Sequence, residues 1–465
     1  MRRATISLLL LVILASLLGS SGVHARSRRT GSFELVGHNA LMDRGMNAAL
    51  AVHGDYAYVG SRTDAKAGNA NNAGVFVVDI SDPSAPEIVH QIGPPHEGNA
   101  GETSREMRIW PEQNLLIVMN LFSNCSELIH MCQPTPGKDN FRFYDISGKR
   151  AAEPKLVAEY VPSSNPHEFF LWQDPRKPNR ALLFISTPGG SSQMLVTDIS
   201  DARDNKFKEV ATWQSTAEDR LHSAALSNDG KRAYLSHLTG GVLIADTSEV
   251  VQGKPKPQIR TLTAPKDAAR WDDVDVHSAV KVPGKNYLFT TDEKYGDLLR
   301  VLGSGGCPWG WSHMVDMSRQ TKPKTIAQYK LPQNDPDFCK SDPPRPSSSY
   351  AAHNPTLTRN LAFVTWHAGG LQVIKTSDPR NPVQAAEFVP DPLPFVLQED
   401  PALTAGQDKV AMWSFPIIKD GLVYVVDVRN GLYVLDYKGP FASEVEQIDF
   451  LEGNSNLGDA LRLDR

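Results

Sequence analysis

The sequence has 4 cysteines in 465 residues and no CxxC pair, which excludes a tetrathiolate zinc module. Beyond the first 18 residues it has no apolar run long enough to cross a bilayer. Neither sign of charge dominates. Lys and Arg total 48, Asp and Glu total 53, and the net charge is −5 with no like-charged tail. That balance gives no footprint for nucleic acid or an anionic membrane. Apolar residues at 3.6-residue spacing are absent outside the N-terminal run, so helices should be minor. The chain also lacks a GxSxG elbow, a GxxxxGK[ST] loop and an HExxH pair; His167-Glu168 has no second His four residues on. The acidic clusters Asp201–Asp204 and Asp335–Asp337 do not have EF-hand spacing.

What is present begins with turn formers, 34 Gly and 33 Pro. At the N-terminus, Arg2 and Arg3 precede the apolar Ile6–Leu18, and Val23-His24-Ala25 offers a small-x-small cleavage site. This pattern predicts a signal peptide over 1–25 and a mature protein that is secreted or periplasmic, with no transmembrane segment after cleavage. In that compartment Cys125 with Cys132, and Cys307 with Cys339, are expected to form two local disulfides. Each would stabilise a long loop by roughly 2–3 kcal/mol. The remainder, 26–465, reads as one domain and a monomer.

Self-similarity fixes the fold class. A strand recurs as Gly74–Ile80, Asn140–Ile146, Gln193–Ile199, Gly241–Thr247, His313–Met317, Gly370–Thr376 and Gly431–Tyr437. Five copies carry an Asp in phase, at Asp79, Asp145, Asp198, Asp246 and Asp436. A Ser and a proline-bearing turn often follow, as in SDPSAP (Ser81–Pro86) and SDPRNP (Ser377–Pro382). A pair of short strands across a tight turn precedes each copy and a fourth strand follows it. Seven units of about 60 residues, each of four antiparallel strands, predict a seven-bladed β-propeller. The expected blades are about 32–95, 96–162, 163–216, 217–266, 267–332, 347–396 and 407–450. Either Phe33–Val36 or Glu444–Phe450 could complete the last blade. The tail Leu451–Arg465 should pack as a closing strap.

The cores GVFVVDISDPSAP and GLQVIKTSDPRNP resemble the LVIVD repeat of bacterial β-propellers. The resemblance implies an exported propeller and says little about activity, because propellers host enzymes, binding modules and scaffolds.

Chemistry is expected where inner strands begin and second strands end, on one face of the channel. The strand starts in order are Asn47, Glu106, His167, His222, His277, His353 and Trp413; the second-strand ends are Arg62, Asn120, Thr187, His237, Asp292-Glu293, His367 and Arg429. Four consecutive blades thus offer His167, His222, His277 and His353 to one mouth. Imidazoles without thiolate suit Fe, Cu, Mn or Zn with positions left for substrate. A repeated His can equally serve structure, hydrogen-bonding a neighbouring blade, but its restriction to four neighbouring blades argues for the metal. His237 and His367 are outer candidates that rim water would also satisfy. Glu106, Glu168 and Glu293 could bridge ions, act as base or orient imidazoles.

Two functions follow. One is a metal-dependent enzyme acting on a small organic substrate, with hydrolysis favoured over oxidation. Its His arrangement resembles, in architecture only, the carotenoid-cleavage oxygenases, the selenium-binding-protein/methanethiol-oxidase group and certain propeller phosphotriesterases. The alternative is a non-enzymatic LVIVD-repeat scaffold that binds an envelope protein partner.

Overall fold

A computed structural model describes residues 30–62, 72–93, 102–122, 139–188, 193–215, 220–294, 308–338, 348–400 and 402–465. The expected signal peptide, all four cysteines, His96 and His130 lie outside these residues. No helix among the described residues is long and apolar enough to cross a membrane.

Seven antiparallel sheets form the ring, six of four strands and one of five. Blade 4 shows the unit at its plainest. Ser223–Leu226 turns back through Asn228-Asp229-Gly230 into Arg232–Ser236, followed by Val242–Asp246 and the short Arg260–Thr261. Gly230 sits at φ +70, where a side chain is strained, and an added Cβ would also lie 2.6 Å from Trp172 and Val251.

Period-2 alternation places the core. Seven apolar clusters lie between neighbouring blades, one at each junction. In blade 1, Tyr58 faces Met107 and Val118 of blade 2, while Ala57 and Val59 face Tyr424 and Val434 of blade 7. The inner three strands of each blade therefore bury both faces, which is why their segments read as continuous Val, Ile, Leu and Phe, while the outermost strand keeps one face toward solvent.

The recurrent Asp is a turn device. Asp79, Asp145, Asp198 and Asp246 each accept a hydrogen bond from the backbone N–H two residues on, at 2.8, 3.1, 2.9 and 2.9 Å. This Asx turn folds the chain out of the third strand toward the fourth.

The N-terminal segment closes the ring. Ser32–Asn39 pairs antiparallel with Gly431–Lys438 as the outermost strand of blade 7, with Phe33 opposite Tyr437 and Leu35 opposite Leu435. Residues 32–39 therefore belong to the last blade, and blade 1 begins at Asn47. Of the rival segment, Ala442–Glu446 is helical and Phe450–Leu451 joins the innermost strand instead.

Beyond Leu451 the chain enters the channel. Asn454 accepts from the Leu171 N–H at 3.2 Å and donates to the Phe169 carbonyl at 2.7 Å, on the inner strand of blade 3. Arg108 of blade 2 donates to the Asn454 carbonyl at 3.3 Å. A Cβ on Gly453 would stand 2.1 Å from the Pro355 carbonyl of blade 6 and 2.6 Å from Phe415, next to blade 7. Residues 452–456 are all buried. They plug the channel from below, and the chain then runs on to Asn228, Lys281 and Arg359 on blades 4 to 6.

Candidate metal centre

Above the plug, imidazole rings form an arc. Centroid separations are 4.4 Å from His167 to His222, 4.1 Å to His277, 3.9 Å to His353 and 5.1 Å to His367. Each of the first four sits just before the inner strand settles into register. The N–H groups of His167, His222 and His353 donate to Ser186, Ser236 and Thr365 at the ends of the second strands. His277 is the extra residue of a bulge between Val276 and Ser278. Such bulges re-aim a side chain.

The same register corrects the expected alignment in blade 2. Glu106 pairs with Met119 as Glu168 pairs with Ser186, so Arg105, in a bulge of its own, occupies the place of the histidines. Arg105 was missed because nothing in the sequence announces the bulge. At the other end of the arc, Trp413 packs on His353 with centroids 5.1 Å apart.

Two carboxylates face the rings. Glu168 Oε1 is 3.2 Å from His277 Nε2 and 3.8 Å from His222 Nδ1. Glu293 Oε1 lies 3.1 Å from His353 Nε2 and 3.5 Å from His367 Nε2; its Oε2 lies 3.7 Å from His277 Nε2 and 3.8 Å from His222 Nε2. His167 Nε2 and His222 Nε2 are 2.9 Å apart. Ligand atoms bound to one ion at ~2.1 Å stand about 3.0 Å apart when adjacent and about 4.2 Å apart when opposed, so these spacings fit coordination. Two triads have ligand atoms all within 4.8 Å of one another: Glu168–His222–His277 and His277–Glu293–His353.

Outer partners fix two of the rings. His353 Nδ1 lies 2.6 Å from the Trp413 carbonyl, an acceptor only, so Nδ1 carries the proton and Nε2 presents a lone pair. His277 Nδ1 is 2.8 Å from Ser278 Oγ, whose hydroxyl is committed to Asn354 Oδ1 at 3.3 Å, so Nδ1 again donates. Both Nε2 lone pairs therefore point at carboxylate oxygens.

The electrostatics follow. Burial holds the imidazoles of His167, His222, His353 and His367 below their ordinary pKa, His222 and His367 well below it. His277 goes the other way: burial opposes the charge, but Glu168 and Glu293 raise its pKa. Against its own burial, Glu293 is drawn well below the carboxylate range by His353 and His277.

The remaining candidates separate. Glu106, at the register position of Glu168, pairs instead with Arg108 at 3.1 Å, both buried. Burial pushes its carboxyl up to about 7, with Arg108 pulling it down and Glu168 adding to the rise. His237 lies outside the arc, with Nε2 2.9 Å from Gln193 Oε1 and its ring edge-on to Trp213. Asp292 turns away from the channel: it accepts from Trp271 Nε1 at 2.7 Å and stands 3.6 Å from His313. Arg62 pairs with Asp400 at 2.6 Å beside Trp413. His167 and His222 are the least covered rings, so the centre opens on their side, next to Arg105.

Comparison with known proteins bears on the fold. The family model described as "LVIVD repeat" matches residues 44–92, the span of blade 1. No curated protein matches the chain. Among solved structures the chain is similar to Sqt1 of Chaetomium thermophilum bound to the N-terminus of the ribosomal protein L10, at 15% identity and TM-score 0.45, covering 87% of this chain and 89% of that one. A second structure of Sqt1 from the same organism gives 15% identity and TM-score 0.46, with 86% of each chain covered. The ring of six four-stranded sheets and one five-stranded sheet makes this chain a seven-bladed β-propeller, and its first blade carries an LVIVD repeat.

Proposed function

We propose that the top of the channel is a transition-metal centre at which a small organic substrate is hydrolysed. One observation carries this reading. His353 Nε2 and Glu293 Oε1, both acceptors, face each other at 3.1 Å in a buried site, because the ring's only proton is held by the Trp413 carbonyl. Two lone pairs at that distance repel unless a cation lies between them. A proton can serve one such pair, and the raised pKa of His277 marks where it would go. A divalent ion serves several at once.

Fe, Cu, Mn and Zn all accept a set of imidazoles and carboxylates. A bound divalent ion supplies a water that ionises near neutral pH and polarises an oxygen of the substrate. The chain's own groups do the rest. His167, His222 and His277, with Glu168, form the pole nearest the opening, and the Ser278–Asn354 pair fixes the orientation of His277. Glu106, with its pKa near 7, sits where a proton can be held or released close to neutrality. Arg105 places a positive charge at the entrance. The mixture of carboxylate and imidazole supports hydrolysis over oxidation. The leader-like N-terminus supports a place outside the cytoplasm.

The test is metal content after expression through an export pathway. Stoichiometric transition metal is expected, lost in His277→Ala while the β-sheet circular dichroism is kept. Metal-free protein whose melting temperature ignores both chelator and added Mn2+ or Zn2+ would sink the proposal and leave the binding scaffold.

A further inference from the structure

The two triads share His277, and that sharing has a stoichiometric meaning. Its Nδ1 is committed to Ser278, so the ring offers only Nε2, and one lone pair binds one ion. The triads therefore cannot each hold an ion through His277.

Glu293 resolves the conflict. Its two oxygens address different rings: Oε2 faces His222 and His277 at 3.8 and 3.7 Å, and Oε1 faces His353 and His367 at 3.1 and 3.5 Å. Counting donors gives the same division. Five Nε2 atoms, one oxygen of Glu168 and two of Glu293 make eight, more than one transition-metal ion takes up. Split at Glu293, they fall into a set of five and a set of three.

The second set is built into the backbone. His367 has φ +34, a left-handed conformation that is strained for a non-glycine residue. Two backbone hydrogen bonds with Met412, at 3.0 and 3.1 Å, hold it there. Its Nδ1 is 2.9 Å from Ser349 Oγ, so Nε2 is directed at Glu293.

We propose that the centre is dinuclear, with Glu293 as the bridging carboxylate. The first ion is held by His167, His222, His277, Glu168 Oε1 and Glu293 Oε2, the second by His353, His367 and Glu293 Oε1. The inference rests on the metal reading above and adds a second site to it. The second ion has three protein donors, so it keeps more open positions and is the weaker bound. A carboxylate bridge sets the ions about 3.5–4 Å apart, close enough for their electron spins to couple.

The experiment is a titration of chelator-treated full-length protein with Mn2+, followed by equilibrium dialysis and electron paramagnetic resonance. The expected result is two Mn2+ per chain, at least tenfold apart in affinity, with the signal of the first weakening as the second binds. Glu293→Gln should hold one Mn2+ with an undiminished signal. His367→Gln, which keeps a polar side chain of similar length, should lose the weaker site alone. Folding of both variants is checked by their melting curves without metal. No bound Mn2+, with no bound Zn2+ in a parallel dialysis, would overturn the metal reading itself. One Mn2+ in the wild type would overturn the second site and leave the first. Two uncoupled ions would overturn the bridge.

Discussion

His313 offers a sharp test of the electrostatics because it is buried outside the histidine arc. Its ring stacks on Trp271 with centroids 3.9 Å apart, and neither ring nitrogen has a hydrogen-bond partner among the described residues. Burial first, and the charge of Lys330 second, push its pKa down to about 3 from 6.5. Between pH 6.5 and 3 the unfolded chain therefore binds a proton at this residue that the native protein refuses. Stability from the neutral ring is complete above pH 6.5 and is lost as pH falls. A difference of about 3.5 pH units at ~1.36 kcal/mol each gives about 5 kcal/mol in full, and about 2 kcal/mol by pH 5. Neighbouring Asp292 has the opposite sign: burial holds its carboxyl well above 3.8, so its contribution is present at low pH and lost as pH rises. The assay is urea unfolding with chelator present at pH 8, 7, 6 and 5, comparing wild type with His313→Phe, which keeps the stack but cannot ionise. The wild type should lose about 2 kcal/mol more than the variant between pH 8 and 5. Parallel curves would refute a neutral, desolvated His313.

Three further outcomes are expected. Gly453→Ala forces a methyl against the Pro355 carbonyl and should lower stability by about 1–3 kcal/mol in thermal melts, with a melt equal to wild type showing that the plug yields. Phe33→Ala removes a half-buried ring that packs on Phe363, Phe388 and Tyr437, and should cost about 2 kcal/mol in chemical denaturation, chiefly by speeding unfolding as the ring opens at blade 7. Asp198→Ala deletes an Asx-turn acceptor and should cost about 1 kcal/mol, whereas Asp198→Asn should recover most of it; equal losses would count against the turn.

The blades were legible because the inner strands bury both faces and several third strands end in an Asx turn, so Val-rich runs and in-phase Asp recur together. Closure of the ring was not. Phe33–Val36 and Glu444–Phe450 both carry strand-forming residues, and only tertiary pairing separates them. The histidine arc was visible as a phase relation, and four of its rings lie side by side. Sequence undervalued His367, whose left-handed backbone turns it inward, and could not separate it from His237, which the Gln193 contact keeps outside. Arg105 was hidden by a bulge, since one inserted residue moves a side chain to another face without changing the local composition. The fastening of His277 and His353 was equally invisible, because Ser278 and the Trp413 carbonyl act through space rather than through a motif.

The filled lower channel has a consequence for traffic. Gly453 and Asn454 touch the inner strands of blades 2, 3 and 6 and the flank of blade 7, so among the described residues this segment stands across the way from one face of the ring to the other. Among the described residues the least covered approach to the imidazoles is on the side of His167 and His222, so arrival and departure would share that side. Under the proposed hydrolysis, a spent molecule would leave before the next arrives. A close analogue of the product should compete with the incoming molecule for the same space, and crowding at the doorway should slow arrival and departure alike.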